Sequence, residues 1–193
     1  MRKVLNVGGN SKEIPLPPCY AGWQHDLLDI DPKVHPDVLC DARELLRLQR
    51  AQYDSVYCSH NLEHYYRHEV PRVLAGFRHV LKEDGFANII VPDVGAVMRE
   101  AIERGLDIED VLYTAPAGPI TVRDVIYGYG VEIERSGVDF YAHKTGFTEK
   151  SLIGTLQDSG FPIVYVATGS LEVRALAFTG TPGSYAKALL DLP

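Results

Sequence analysis

The sequence predicts a doubly wound α/β domain on a mostly parallel, seven-stranded sheet with a C-terminal antiparallel hairpin. Three observations lead there. Five short apolar runs recur through the first half of the chain, each stopped by glycine, aspartate or a polar turn. Helical patterns or long connections separate them, as parallel strands require. Two alternating segments, 163–168 and 171–179, flank Gly169-Ser170 in the manner of a hairpin.

The first run, residues 4–7, ends at Gly8-Gly9. A loop with Pro15, Pro17 and Pro18 follows and excludes helix. Residues 27–30 and 38–40 are the second and third runs, ending in acidic residues. Residues 42–52 place Leu45, Leu46 and Leu48 among polar residues, which predicts a surface helix. Residues 54–59 form the fourth strand. Residues 71–82 carry Val73, Leu74, Phe77, Val80 and Leu81 on one helical face, with Pro71 in the first turn. Residues 86–91 give the fifth strand and 94–104 a helix, with Asp93 read as its cap rather than as a base. Thr121 and Asp124 resemble a capping box, and Thr148 caps a helix over 149–159 that Gly160 ends. The tail from Gly180 is weakly specified. Trp23 is expected to pack on the proline-rich loop.

The length and the 46% hydrophobic content support one domain over 1–193, since neither a repeat nor a second core is visible. A net charge of −7 without any basic cluster excludes nucleic acid and anionic membrane surfaces as partners. Cys19, Cys40 and Cys58 form no CxxC pair, which fits free thiols in a reducing compartment. The apolar run at 4–7 is too short for a signal core or a membrane span. A cytoplasmic protein is therefore expected.

In open α/β sheets, ligands bind beyond the carboxyl ends of the strands. Those ends carry Gly8, Gly9 and Asn10, then Asp29 and Asp31, then Asp41-Ala42, then Ser59-His60-Asn61, then Pro92-Asp93. Any one of these is an ordinary turn residue. Together they concentrate polar groups on one edge. Residues 60–64 (HNLEH) match the H-x-x-E-H pattern of one zinc peptidase group. The segment follows a strand end, and no third ligand stands near it in sequence. Glu63 then reads as a helix cap and His64 as a packed side chain, and no metal is expected. His143 can accept a proton near neutral pH, or can be structural. Tyr113, Tyr127, Tyr129 and Tyr141 line a long segment that either covers a substrate or forms a satellite core.

DIDP at 29–32, PDVLCDAREL at 36–45, YDSVYCSHNLEH at 53–64 and VLKEDGF at 80–86 together resemble the central stretch of class I S-adenosylmethionine-dependent methyltransferases. YAHKTGFT at 141–148 and DSGF at 158–161 resemble a subgroup of that family, some of it associated with glycan pathways. The resemblance spans about residues 3–178 and implies a Rossmann-like fold, S-adenosylmethionine as cofactor, and methyl transfer to a small-molecule or glycan-related acceptor. It implies that Gly8, Gly9 and Asn10 approach the methionine part and that Asp29, with Asp31 beside it, binds the ribose. Asp41 and Ala42 would hold the adenine. Ser59 and His60 would lie over the sulfonium, with His143 and His60 as candidate catalytic groups and 113–147 covering the substrate.

One departure is visible. The family's Gly-x-Gly-x-Gly becomes Gly8, Asn10 and Lys12, and the prolines leave little room for the usual first helix. Asn10 can adopt left-handed backbone in place of a glycine. The departure motivates an alternative, a catalytically inactive partner or assembly subunit. A dinucleotide or nucleotide-sugar enzyme would also use an acid after the second strand, but G-x-G-x-x-G is missing. The open edge of the terminal hairpin offers a surface for a homodimer.

Overall fold

The computed structural model describes residues 1–116 and 118–192. Its main sheet contains β1 (Lys3–Val7), β2 (Gln24–Asp29), β3 (Val38–Leu39), β4 (Tyr53–Ser59), β5 (Leu81–Pro92), β8 (Ile163–Gly169) and β9 (Glu172–Phe178). The spatial order is β3-β2-β1-β4-β5-β9-β8. β1 pairs in parallel with both β2 and β4, and β4 with β5. β9 alone runs against its neighbours. The sheet is mostly parallel and seven-stranded, as expected.

The terminal hairpin forms the antiparallel edge of the sheet, with β9 between β5 and β8 and β8 outermost. Val173, Ala175 and Ala177 of β9 are fully buried, while the end of β8 is exposed. The turn falls one residue later than the glycine suggests. Ser170 and Leu171 take positive φ, 52° and 64°, the backbone of a type I′ turn. Gly169 pairs with Glu172 and closes it.

The two faces of the sheet are covered differently. On one face lie α1 (Val70–Val80) and α5 (Glu149–Asp158). Val73, Leu74, Phe77 and Val80 of α1 are completely buried there with Leu152 and Leu156 of α5. The surface helix expected over 42–52 is a six-residue 3-10 helix, Ala42–Arg47. It packs so closely on α1 that a Cβ at Gly76 would stand 2.6 Å from Leu45 Cβ. The chain must then turn, with Ala51 in left-handed backbone, to enter β4. α1 ends at Val80, and Leu81 already pairs with Tyr53, so β5 begins earlier than residue 86.

The opposite face has no helix after β1. A 3-10 turn, Pro18–Tyr20, sets Tyr20 and Trp23 on the sheet instead. Tyr20 stacks on Phe86 with centroids 6.4 Å apart, and Phe86 meets Phe178 at 5.7 Å. α6 (Ser184–Leu190), which the weak tail pattern did not predict, completes this layer. Beneath it the Tyr20 hydroxyl lies 2.9 Å from Ser55 Oγ and accepts from Asn88 Nδ2 at 3.2 Å. Arg174 Nε donates to Asn88 Oδ1 at 3.2 Å, which joins β4, β5 and β9 through polar groups.

Between β5 and α5 the chain forms α2 (Val94–Arg104), a hairpin of β6 (Val111–Ala115) and β7 (Gly118–Thr121), α3 (Val122–Tyr127) and α4 (Gly130–Ser136). Val97, Leu112, Val122 and Val125 give this part its own small core. Caps read from sequence are in place. Asp93 accepts from Ala96 N at 3.1 Å, and Thr121–Asp124 and Thr148–Ser151 form capping boxes. The three cysteines are free. No helix among the described residues is long and apolar enough to cross a membrane.

Tyr20→Phe keeps the stacking but strips Ser55 and Asn88 of a shared buried partner. It should destabilise the fold by ~1–3 kcal/mol in guanidinium unfolding. An unchanged midpoint would mean that these polar groups do not depend on the phenol.

Candidate functional site

The strand order reverses at β1, because β2 lies on one side of it and β4 on the other. Connections leaving β1 and β4 diverge there, the place where ligands bind in open α/β sheets. At this edge stand all the residues named from sequence for the cofactor. Gly8 has φ +68° and donates to Leu28 O at 2.8 Å. Asn10 has φ 59°, the left-handed backbone expected of it. The space beside the glycines is filled: a Cβ on Gly8 would stand 2.1 Å from the Asn61 amide, and one on Gly9 2.0 Å from the Asn6 amide. These two amides are what require glycine here, and they fix the loop's shape. Lys12 points away to Asp37, at 2.8 Å.

Asp29 ends β2, and its Oδ1 accepts from Asp31 N at 3.0 Å. A carboxylate has about four lone-pair positions, so Asp29 keeps capacity for two hydroxyl donors. Asp31 caps the turn after it, accepting from Lys33 N at 2.9 Å. Asp41 accepts from Arg43 N at 2.9 Å and from the Arg43 guanidinium at 2.6 Å. Burial opposes charge on Asp41, but the bonds from Arg43 hold its carboxyl below the usual range. Ala42 is buried behind it, and Ser59 closes β4. An acid at two adjacent strand ends and a glycine turn on the same edge fit an adenosyl ligand.

On the far side of β4 lies a cavity of about 140 Å³, lined by His60, Tyr113, Asp124, Tyr129, His143 and Glu172 among others. Of the four expected tyrosines, Tyr113 and Tyr129 line it. Tyr127 is exposed, and Tyr141 does not line it. His60 has left-handed backbone, φ 49°, unusual for a residue with a Cβ and of a kind that gathers at functional sites. Its Nε2 meets Glu172 Oε1 at 2.9 Å and its Nδ1 lies 3.6 Å from Glu63 Oε1. Burial works against its charge, but these two carboxylates prevail and raise its pKa to about 10. His60 is therefore an imidazolium at neutral pH.

His143 behaves oppositely. Burial lowers its pKa, with Glu63 pulling the other way. Its Nδ1 lies 2.9 Å from Val125 O, a carbonyl that can only accept, so Nδ1 carries the proton and Nε2 the lone pair. Backbone bonds seat the loop: His143 N donates to Tyr127 O at 3.0 Å, and Lys144 N and Thr145 N both donate to Glu63 O. Gly128, with φ +99°, makes this possible, because a Cβ there would stand 2.1 Å from Tyr141 O.

Three residues at this site were not assigned such a place from sequence. Glu63 is a buried side chain rather than a helix cap. His64 faces His143 with ring centroids 5.0 Å apart, instead of acting with His60. Glu172 reaches the site because β9 enters the sheet beside β5, a pairing no local signal announces.

Residues 24–89 match a family model described as a methyltransferase domain. No curated relative matches the chain. Among solved structures, an S-adenosylmethionine-dependent methyltransferase from Archaeoglobus fulgidus is similar with TM-score 0.56 and 17% identity, over 91% of this chain and 85% of that one. A possible histamine N-methyltransferase from Thermotoga maritima gives TM-score 0.58 and 13% identity over 93% and 82% of the two chains. The 1,6-didemethyltoxoflavin-N1-methyltransferase of Burkholderia thailandensis, solved with its acceptor and S-adenosylhomocysteine bound, gives 0.51 and 16% over 92% and 71%. At these identities the likeness is one of fold.

A His60 pKa raised to about 10 contributes stability that is full below the unfolded value of ~6.5 and is lost as pH rises through 10. NMR titration of the His60 ring should show it charged above pH ~7, and Glu172→Gln should move the midpoint down. A midpoint near the ordinary histidine value in the wild type would contradict the carboxylate pairing.

Proposed function

We propose that this chain, which carries the class I methyltransferase fold and matches the methyltransferase domain over residues 24–89, transfers a methyl group from S-adenosylmethionine to a small-molecule acceptor, such as a glycan-related hydroxyl or amine. The observation that carries the reading is the placement of Gly8, Asp29 and Asp41 at the carboxyl ends of the adjacent strands β1, β2 and β3, with a histidine-lined cavity beyond the end of β4. Asp29 would hold the ribose hydroxyls, Asp41 and the Ala42 backbone the adenine, and Gly8–Asn10 the methionine part. S-adenosylmethionine supplies an electrophilic methyl on sulfur, taken by the acceptor in line as the sulfonium electrons stay with sulfur.

The protein's share is orientation and one proton. His143, neutral and with its lone pair on Nε2, receives the proton that the acceptor loses. His60, already charged, donates a hydrogen bond instead. Tyr113 and Tyr129 give the cavity aromatic faces, and the carboxylates of Asp124 and Glu172 outnumber the one cationic group in the lining, His60, which favours a neutral or cationic acceptor with hydroxyl or amine donors. Free cysteines accord with a cytoplasmic setting. The partner-subunit alternative rests on the altered Gly8-x-Asn10-x-Lys12 loop, and no comparison supports it.

Calorimetric titration with S-adenosylmethionine and S-adenosylhomocysteine is the direct test. Micromolar binding that Asp29→Ala abolishes is expected, and no binding of either ligand at millimolar concentration would sink the proposal. With an acceptor in hand, His143→Gln should cut kcat by ~10²–10⁴-fold and leave S-adenosylhomocysteine affinity unchanged.

A further inference from the structure

We propose that Glu63 is a positioning residue for the transfer, a buried carboxylate that braces His60 and steadies the imidazolium that His143 becomes. The inference rests on the transferase reading and adds a residue to it. Glu63 is 1% exposed, although it stands on the 3-10 turn Leu62–His64, just before the exposed residues 66–68. Acidic side chains are rarely buried to this degree unless positive charge answers them.

Three histidines surround this carboxylate. On one side His60 Nδ1 lies 3.6 Å from Glu63 Oε1, an ion pair without a hydrogen bond, while His60 Nε2 is taken by Glu172 at 2.9 Å. On the other side one ring nitrogen of His64 and one of His143 lie within 4.8 Å of a Glu63 oxygen. Below it in β4 is the Cys58 thiol. Burial, and after it the Glu63 charge, push that thiol far up and keep it neutral.

His64 is a strut. Its Nδ1 lies 3.0 Å from Ala142 O and its Nε2 3.1 Å from His60 O, so carbonyls occupy both nitrogens. The ring thereby spans from the end of β4 to the loop that carries His143, which it faces at 5.0 Å between centroids. The backbone of Glu63 ties the same two segments, because its carbonyl accepts from Lys144 N at 2.8 Å and Thr145 N at 3.1 Å. Glu63 is thus held at a fixed distance from both functional histidines.

The charges during transfer show what it does there. The acceptor's heteroatom bonds to the methyl carbon as the C–S bond breaks toward sulfur, and the proton that the heteroatom loses passes to His143 Nε2. His143 then carries charge where burial opposes it and where His64 and His60 oppose it too, while Glu63 and the Val125 carbonyl favour it. The other carboxylates at the cavity are committed, Asp124 to Thr121 N and Gly130 N and Glu172 to His60. Tyr113 and Tyr129 present phenols. Neither Glu63 oxygen has a hydrogen-bond partner among the described residues. Glu63 therefore lowers the cost of the new charge through space and leaves the proton on His143.

NMR titration of the histidine rings in wild type, Glu63→Gln and Glu172→Gln tests this, with circular dichroism to follow the fold. In Glu63→Gln the His143 midpoint should fall by about one pH unit or more, and the His60 midpoint should fall with it. Glu172→Gln should lower His60 and leave His143 in place. A side chain that only packed the site would act oppositely on His143, because loosening the site returns a buried histidine upward toward its ordinary value. A His143 midpoint that stays or rises in Glu63→Gln would overturn the proposal. If that variant does not fold, wild type still answers: the Glu63 carboxyl carbon should show an inflection at the His143 midpoint, and a flat response there is equally fatal. S-adenosylhomocysteine titrated calorimetrically into wild type reports separately on the transferase reading. Binding together with the shifts supports both, whereas the shifts without binding leave the charge coupling standing and remove its part in methyl transfer.

Discussion

β1 runs parallel to strands on both of its sides, and its connection must therefore leave the sheet edge while the connection from β4 leaves in another direction. That constraint decides which residues meet at this edge of the sheet. Asn6 in β1 and Asn61 in the connection that leaves β4 set the geometry at close range. Their amides occupy the room that side chains on Gly9 and Gly8 would need. The turn is thereby held by side-chain packing, although no helix follows to brace it.

The absent helix is compensated on the other face of the sheet. Tyr20, Trp23 and α6 bury Phe86 and Phe178 where a helix after β1 would otherwise lie. Aromatic rings bury much surface per residue, so a short loop can close a face that would ordinarily take several turns of helix. The helix dipole that commonly faces the ligand is not replaced. The edge instead carries Asp29, Asp31 and Asp41, with Arg43 bound to both Asp41 and Glu69 to moderate their field.

Much of this could be read from residues. The strand ends at Gly8, Asp29, Asp41 and Ser59 were visible because polar turn residues interrupt apolar runs. The caps at Asp93, Thr121 and Thr148 were visible because capping is local chemistry. Asn10 was correctly expected in left-handed backbone. The rest depends on contacts distant in sequence. Nothing near residue 172 says that β9 enters between β5 and β8, so Glu172 could not be placed beside His60. Leu45, Leu46 and Leu48 suit a longer helix, and only the close approach at Gly76 explains the short 3-10 turn. The tyrosines were read as one set, yet the fold sends Tyr113 and Tyr129 to the cavity and leaves Tyr127 in solvent. Glu63 lay within a noticed motif, but its burial beside His60 is visible only in three dimensions.

The insertion of β9 also bears on how the molecule acquires its shape. β1 to β5 can associate as soon as residue 92 is available, and they already contain the strand ends that carry Gly8, Asp29, Asp41 and Ser59. The strand that supplies Glu172 pairs with β5 across some eighty residues, for example Ile90 with Arg174. Loop closure over that span slows the pairing relative to the β8–β9 hairpin, which forms locally. Until β9 docks, the flank of β5 is an open edge able to capture strands of other chains. The docking of β9 therefore does two things together: it covers the open edge of β5 and brings His60 its Glu172 carboxylate.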